Sequence, residues 1–597
     1  MIKITKKILP LILAAVLAAV LAVVSFTIVG CNGSNDLQET YAVVYDLNYD
    51  NAPSRVVRVA YGGKAIDWKV ERDGYHFDKW YSDSSCSSEY DFNNIIKNDI
   101  TLYASWVKKQ DAAVVSFDYN FMGAPTSKTV EIEKGKTLNG IKMPTYERLG
   151  RDFTGWYKDS ACTQEWNVES DTVTGDTTLY AGYKVKDNLL KYDAQGNIVY
   201  ENVQVNVFVG PSFGLLDAYT DIAEKFNAEY EGKIKVVVTD VMIGQANMCL
   251  RIQQTSEKNK TYNSYYNIPD VYSLAGLDYN PSLWYEQASS DAYVDGMLSS
   301  IPLVAAVPYI VYNKAILQEV NGGVVPTNFS ELKALLQKVY TQKQITTIST
   351  CRDWTFKESS SVIAFMQNGA EYYARKGNEY YCGWKQPEIK DKATAALNNM
   401  YDIFGSEGVC HGSSEGSTDE VQLISNVANG NIFMGIVNFP SNSGSTMGTT
   451  NGLGYLPLSN LFTDDDTDAA KLIPGYSLGM SFYKAQSVNV SEVTAAAIFA
   501  DYLSKNSYAL AEKGMYPLRK SVVESDQFVN SANTVVNTLK LIADPNNIAT
   551  LVGHINGKNV FNTLAAESMI IPAMDGKRID IAKKIDEFVY LIDASIY

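Results

Sequence analysis

Histidine is almost missing from this chain: His76, His411 and His554 are the only three in 597 residues. They are too dispersed to suggest a metal cluster. Cysteine is scarce as well. The seven cysteines include no C-x-x-C pair, so neither a zinc site nor a disulfide scaffold is signalled. A bridge from Cys351 to Cys382 or Cys410 stays open. Basic charge is short too, with 51 Lys+Arg against 67 Asp+Glu and a net charge of −16. That balance leaves no electrostatic footprint for nucleic acid and disfavours a phosphate-rich ligand. No G-x-S-x-G elbow and no G-x-x-x-x-G-K-[ST] loop occurs. A glycosidase would need two carboxylates across a cleft, and among 67 acidic residues such a pair can always be proposed. The residues name no catalytic group, cofactor or metal, and the reading is a binding protein rather than an enzyme.

Long apolar runs are confined to one place. Lys3, Lys6 and Lys7 lead into Ile8–Val29, interrupted by Pro10, Ser25 and Thr27, and the run ends in Ile28-Val29-Gly30-Cys31 before the polar Asn32-Gly33-Ser34. A charged start, an apolar middle and a small residue at the break make an export signal. The four residues ending in Cys31 resemble the lipobox of bacterial lipoproteins. The resemblance implies cleavage after Gly30 (signal 1–30), a lipid on Cys31 and a polar tether over 31–40. An uncleaved membrane anchor is the other reading, since the run is long enough to span a bilayer. Both put the remainder outside the cell, held at the extracellular face of the bacterial membrane.

An internal repeat comes next. Tyr75-His76-Phe77-Asp78-Lys79-Trp80-Tyr81 with Cys86 returns 76 positions later as Arg151-Asp152-Phe153-Thr154-Gly155-Trp156-Tyr157 with Cys162. Asp46-Leu47-Asn48-Tyr49 matches Asp118-Tyr119-Asn120-Phe121, and Thr101-Leu102-Tyr103-Ala104 matches Thr178-Leu179-Tyr180-Ala181. Each unit reads as short alternating strands between Gly, Asn and Asp turns, with aromatics for a core. The pattern over 41–107 and 113–184 resembles the Listeria–Bacteroides repeat of internalin-type surface proteins, which implies a β-grasp-like fold and a spacer or weak adhesion role. A polar linker follows over 185–202.

From Val203 to Tyr597 the texture is α/β. Val203–Val209 reads as a strand, Leu216–Tyr230 as an amphipathic helix, and Ile234–Val238 as a second strand, an order that argues for a parallel sheet. Further helices are read at 329–340, 390–404, 419–429, 490–505 and 579–592. Five segments in order resemble family 1 extracellular solute-binding proteins, the sugar receptors of bacterial ABC importers. They are Pro269-Asp270-Val271, read as a strand entry; Pro302 to Lys314, where the chain would cross between lobes; Val325 to Leu332; Asn429 to Ile436; and Lys513 to Val522. The resemblance implies a two-lobed, hinged body that closes on its ligand, a carbohydrate, and hands it to permease subunits. Ala305-Ala306-Val307 departs from the family in being apolar where relatives often place polar ligand contacts.

Sugar recognition asks for aromatic faces and hydroxyl partners on loops after strands or on the crossovers. Phe213 follows the first body strand and serves either a ligand or a helix staple. Tyr279 and Trp284 sit in a Pro/Asn segment that reads as a loop. Tyr309 borders the crossover, as ligand contact or core. Phe439 follows a strand, and Tyr476 stands in Pro474-Gly475-Tyr476-Ser477. Asp240 and Asp278 are the hydroxyl partners chosen, with Asp353, Asn438 and Arg519 also weighed. Two other roles compete with transport: a surface adhesin or sensor with a receptor-like body, and a surface glycosidase.

Overall fold

The computed structural model describes residues 40–550 and 580–596, less short internal stretches of which the longest are 253–263, 352–364 and 438–447. The signal segment and Cys31 lie outside the described residues. The chain divides into two compact units, one ending at Ala112 and the other beginning at Ala113.

The first unit holds repeat 1. Strands β1 (Thr40–Asp46), β2 (Arg55–Ala60), β3 (Tyr75–Tyr81) and β4 (Ile100–Lys108) form one sheet in the order β2-β1-β4-β3. The outer pairs are antiparallel and β1 runs parallel to β4. Alternate residues turn inward, as strand geometry requires, and they enclose Trp80 with Val43, Tyr45, Leu102 and Ala104. Asn48 and Cys86 both adopt positive φ, and the Asn48 amide donates to the Cys86 sulfur. That contact explains why Asn and Cys recur together in both copies.

Repeat 2 opens the second unit. Its strands β5 (Ala112–Asp118), β6 (Lys128–Glu133), β7 (Arg151–Tyr157) and β8 (Thr177–Val185) take the same order, β6-β5-β8-β7, with β5 parallel to β8. Asn120 and Cys162 reproduce the Asn–Cys contact. The core around Trp156 runs on without a break into Cys249, Tyr265 and Met297 of the body.

The body is built on two sheets. The first contains β9 (Val203–Phe208), β10 (Ile234–Thr239), β11 (Met248–Ile252), β14 (Ile301–Ala306), β22 (Ile473–Phe482) and β23 (Tyr516–Pro517) in the order β10-β9-β11-β22-β14-β23. The hairpin β12 (Tyr293–Val294) and β13 (Met297–Leu298) precedes β14. Helices Leu216–Glu229, Ile268–Leu274 and Val490–Lys505 pack with this sheet. The second sheet orders β15 (Tyr309–Asn313), β16 (Thr346–Cys351), β19 (Ser413–Gly416), β20 (Ile432–Val437) and β21 (Leu453–Pro457) as β19-β16-β20-β15-β21. Helices Phe329–Lys343, Pro387–Phe404 and Glu420–Ala428 cover it, and the hairpin β17 (Tyr373–Lys376) and β18 (Glu379–Cys382) lies beside the helix Ile581–Ile596. The fold class is thus mixed α/β with a two-lobed body preceded by two small β modules.

One departure from the sequence reading has a clear cause. Pro269-Asp270-Val271 is the first turn of the helix Ile268–Leu274, not a strand entry. The Asn267 side chain accepts from the Asp270 N–H, proline occupies the first turn where no donor is needed, and Asp270 suits the positive helix end. These capping signals outweigh the β-branched neighbours. Of the bridge left open, Cys410 is a buried free thiol in this structure, and burial pushes it up to about 12. The side chain of Cys351 lies outside the described residues.

Candidate functional site

The lobes exchange chain where β14 ends and β15 begins. Only Val307 and Pro308 separate Ala306, in the first sheet, from Tyr309, in the second. Proline suits such a junction because it has no N–H to satisfy. Strand β22 of the first sheet runs beside this junction. Its first residues, Ile473–Gly475, pair in parallel with β24 (Ile548–Thr550), and the remainder pairs with β14 and β11. In that register Tyr476 stands opposite Ala306, beside the junction. Tyr309 pairs with Val437 at the end of β20 and with Pro457 at the end of β21. Four strand ends therefore converge on residues 306–309.

The sequence-selected residues fall into three groups. The positions of Phe213 and Phe439 lie outside the described residues, as do Asp353 and Asn438. Tyr476 is placed by its backbone alone, at the crossover. The others have described side chains. Asp240 and Asp278 are exposed on the first lobe. Tyr309 is 0% exposed, with its ring 5.9 Å from that of Tyr455. Ala305, Ala306 and Val307 are fully buried, so their apolar character is that of a packed hinge.

Trp284 and Tyr279 differ from the loop reading. The segment closes into a short 3₁₀ turn, Pro281–Leu283, capped by the Asn280 side chain. Trp284 is 1% exposed, stacked on Tyr279 at 5.5 Å and lying 5.3 Å from the Arg519 guanidinium. Tyr272 meets Tyr279 edge-on at 5.7 Å. The proline and asparagine signal a turn correctly, but the turn folds its aromatics inward against Arg519. Arg519 itself is held by Asp501 at 3.1 Å and by Ser504 and Ser521 at 3.3 Å. The hydroxyls of Tyr272 and Tyr279 and the Trp284 indole N–H are buried with no hydrogen-bond partner among the described residues.

Burial pushes the phenols of Tyr219, Tyr272, Tyr279 and Tyr516 well above the ordinary 10. Below pH 10 both folded and unfolded chains keep these protons, and the full stability is present. Above it the unfolded chain ionises first, so stability falls by about 1.4 kcal/mol per buried tyrosine for each pH unit until the folded-state values are reached. Alkaline titration is expected to show cooperative loss of circular dichroism together with the rise in tyrosinate absorbance. Tyrosinate absorbance completing near pH 10 with structure intact would contradict it.

Sequence reasoning missed a constellation between repeat 2 and the body. Arg148 Nε donates to Asp270 at 2.9 Å and its Nη2 donates to the other carboxylate oxygen, while Arg151 Nε lies 3.7 Å away. The Arg148 and Asp270 side chains are 10% and 4% exposed. Asn267 donates to the carbonyls of Met122 and Gly123, and the Leu298 N–H also reaches Gly123. A Cβ on Gly123 would come within 2.7 Å of Leu298 and 2.9 Å of Asn267, at a φ of +66°. The available signal was an arginine at the same place in both repeats, Arg72 and Arg148.

Residues 41–105 and 114–182 match the family model of the Listeria-Bacteroides repeat domain. A protein of Evansella cellulosilytica described as a Gly-rich membrane protein is 32% identical over 158 residues, 26% of this chain. A second membrane protein of that organism is 33% identical over 127 residues, and the alignments span 18% of the length of each relative. Among solved structures, the sugar-binding protein MalE from Xanthomonas citri aligns over 66% of this chain and 97% of its own, at 12% identity and a TM-score of 0.51. The GacH receptor of Streptomyces glaucescens, solved unliganded and with acarbose, aligns over 66% and 99%, at 15% identity and a TM-score of 0.50. The fold is that of solute-binding proteins. Among the described residues no helix is long and apolar enough to cross a membrane.

Proposed function

We propose that the chain is a non-catalytic extracellular receptor that captures a carbohydrate, in particular an oligosaccharide, for delivery to the permease of an ABC importer, held at the membrane by a lipid on Cys31. One observation carries the reading: strands of two separate sheets converge on residues 306–309, with Tyr476 opposite Ala306. Such a junction permits one lobe to rotate on the other and bury a guest between them. The likeness of fold to MalE and GacH supports a sugar over other solutes. The shortage of basic charge supports an uncharged guest. Forty tyrosines supply faces that pair an apolar ring with a hydroxyl. The lipid anchor rests on the residues around Cys31.

A thermal-shift screen of residues 32–597 against mono- and oligosaccharides tests this. A ligand at a hundredfold excess over its Kd stabilises by about 2.7 kcal/mol. A saccharide is expected to raise the transition of the second unit, and Tyr476→Ala to remove most of that rise. Stabilisation only by amino acids, polyamines or metal ions would overturn the assignment.

A further inference from the structure

Repeat 1 repeats, in an open position, the grip that repeat 2 exerts on the body. In repeat 2, Phe121 and Tyr183 meet edge-on at 5.9 Å and Phe153 and Tyr183 at 5.7 Å. Arg148 lies over this frame, 4.1 Å from Phe121 and 4.7 Å from Tyr183, with its planar fork turned to Asp270. In repeat 1 the same positions hold Tyr49, Trp106 and Phe77. Tyr49 and Trp106 meet edge-on at 6.0 Å and Phe77 and Trp106 at 5.7 Å. Arg72, 76 positions before Arg148, lies 4.5 Å from Tyr49 and 5.9 Å from Trp106, with Tyr75 at 3.8 Å.

What differs is the occupant. Gly150 of repeat 2 is covered, since a Cβ there would strike Leu189 and Leu274. Its counterpart Gly74 has nothing within 4 Å. Among the described residues no carboxylate is paired with Arg72, which is half-buried between its rings. A guanidinium held flat by aromatic rings has given up much of its rotamer freedom, and its fork matches a carboxylate. We propose that Arg72, framed by Tyr49, Tyr75 and Trp106, is a docking site for a partner protein that presents an aspartate or glutamate in the first turn of a helix. The chemistry is that of Asp270 in its Asn267-capped turn, the one occupant this frame is seen to hold. The proposal does not rest on the sugar reading.

The test uses residues 32–597 and a fluorescein-labelled peptide of residues 264–277, read by anisotropy. Arg148 is already engaged, so Arg72 is the cradle on offer. Saturable binding is expected, weakened roughly tenfold or more by Arg72→Ala and equally by Asp270→Asn in the peptide. The peptide change leaves the folding of the receptor untouched, so a misfolded Arg72 variant does not blur the outcome. No saturable binding, or binding indifferent to both changes, would overturn the proposal. So would Arg72-dependent binding of oligogalacturonate without any response to the peptide, which would assign the cradle to acidic polysaccharide.

Discussion

Arg148→Ala is expected to destabilise the second unit by about 3–5 kcal/mol, as breaking a buried ion pair does when one charge is left behind. Asp270 is 4% exposed and, among the described residues, would keep one ion-pair partner, Arg151, at 3.7 Å. The loss appears as a lower denaturant midpoint with the slope unchanged, because the surface exposed on unfolding is the same. Replacing both partners by apolar residues, Arg148→Met with Asp270→Leu, is expected to recover most of it, since desolvation of the pair offsets much of its attraction. A loss near zero for Arg148→Ala would mean that repeat 2 is not seated on the body in solution. By the same argument a fragment starting at Val203 exposes the Asp270 carboxylate and the apolar patch around Met297 and Tyr265, and residues 113–597 form the smallest unit suited to ligand work.

Trp284→Ala is expected to cost about 3–5 kcal/mol in the same unit, the range for removing a large buried aromatic. Two groups rest on it directly, the stacked Tyr279 and the Arg519 guanidinium, and Tyr272 in turn meets Tyr279 edge-on. Trp284→Phe keeps a ring for Tyr279 and is expected to recover more than half. The measurement separates two roles. A structural tryptophan lowers the unfolding midpoint in the absence of any sugar. A tryptophan that serves only as a ligand platform leaves stability within about 1 kcal/mol of the parent and abolishes the saccharide response.

Much of the architecture was legible because it rests on local chemistry. The repeat is visible because Trp80 and Trp156 fill equivalent cores, and Asn48 and Asn120 bond the sulfurs of Cys86 and Cys162. The crossover at Pro308 is visible because β14 is apolar throughout and β15 opens on an apolar run, as buried strands do. Helix Phe329–Lys343 declares itself by the stripe of Leu332, Leu335, Leu336 and Val339. The site was less legible. Trp284 reads as exposed because its turn residues are exposed, and what buries it, Arg519, is more than 200 positions away in sequence. The helix at Pro269 was obscured by a motif resemblance, although Asn267 and Asp270 carried the capping signal. The pairing of Arg148 with Asp270 spans 122 positions and could not be read from either neighbourhood.

The seating of repeat 2 also limits how this architecture can lengthen by duplication. Lys186, the first residue past β8, donates to the carbonyl of Gly150 and leads directly into the body. A third copy spliced between 185 and 203 would pull Arg148 away from Asp270 and strand both charges. One spliced between Ala112 and Ala113 would leave that contact whole. Growth of the array is thus permitted on the side of repeat 1 alone, and the copy adjoining the receptor is committed to it.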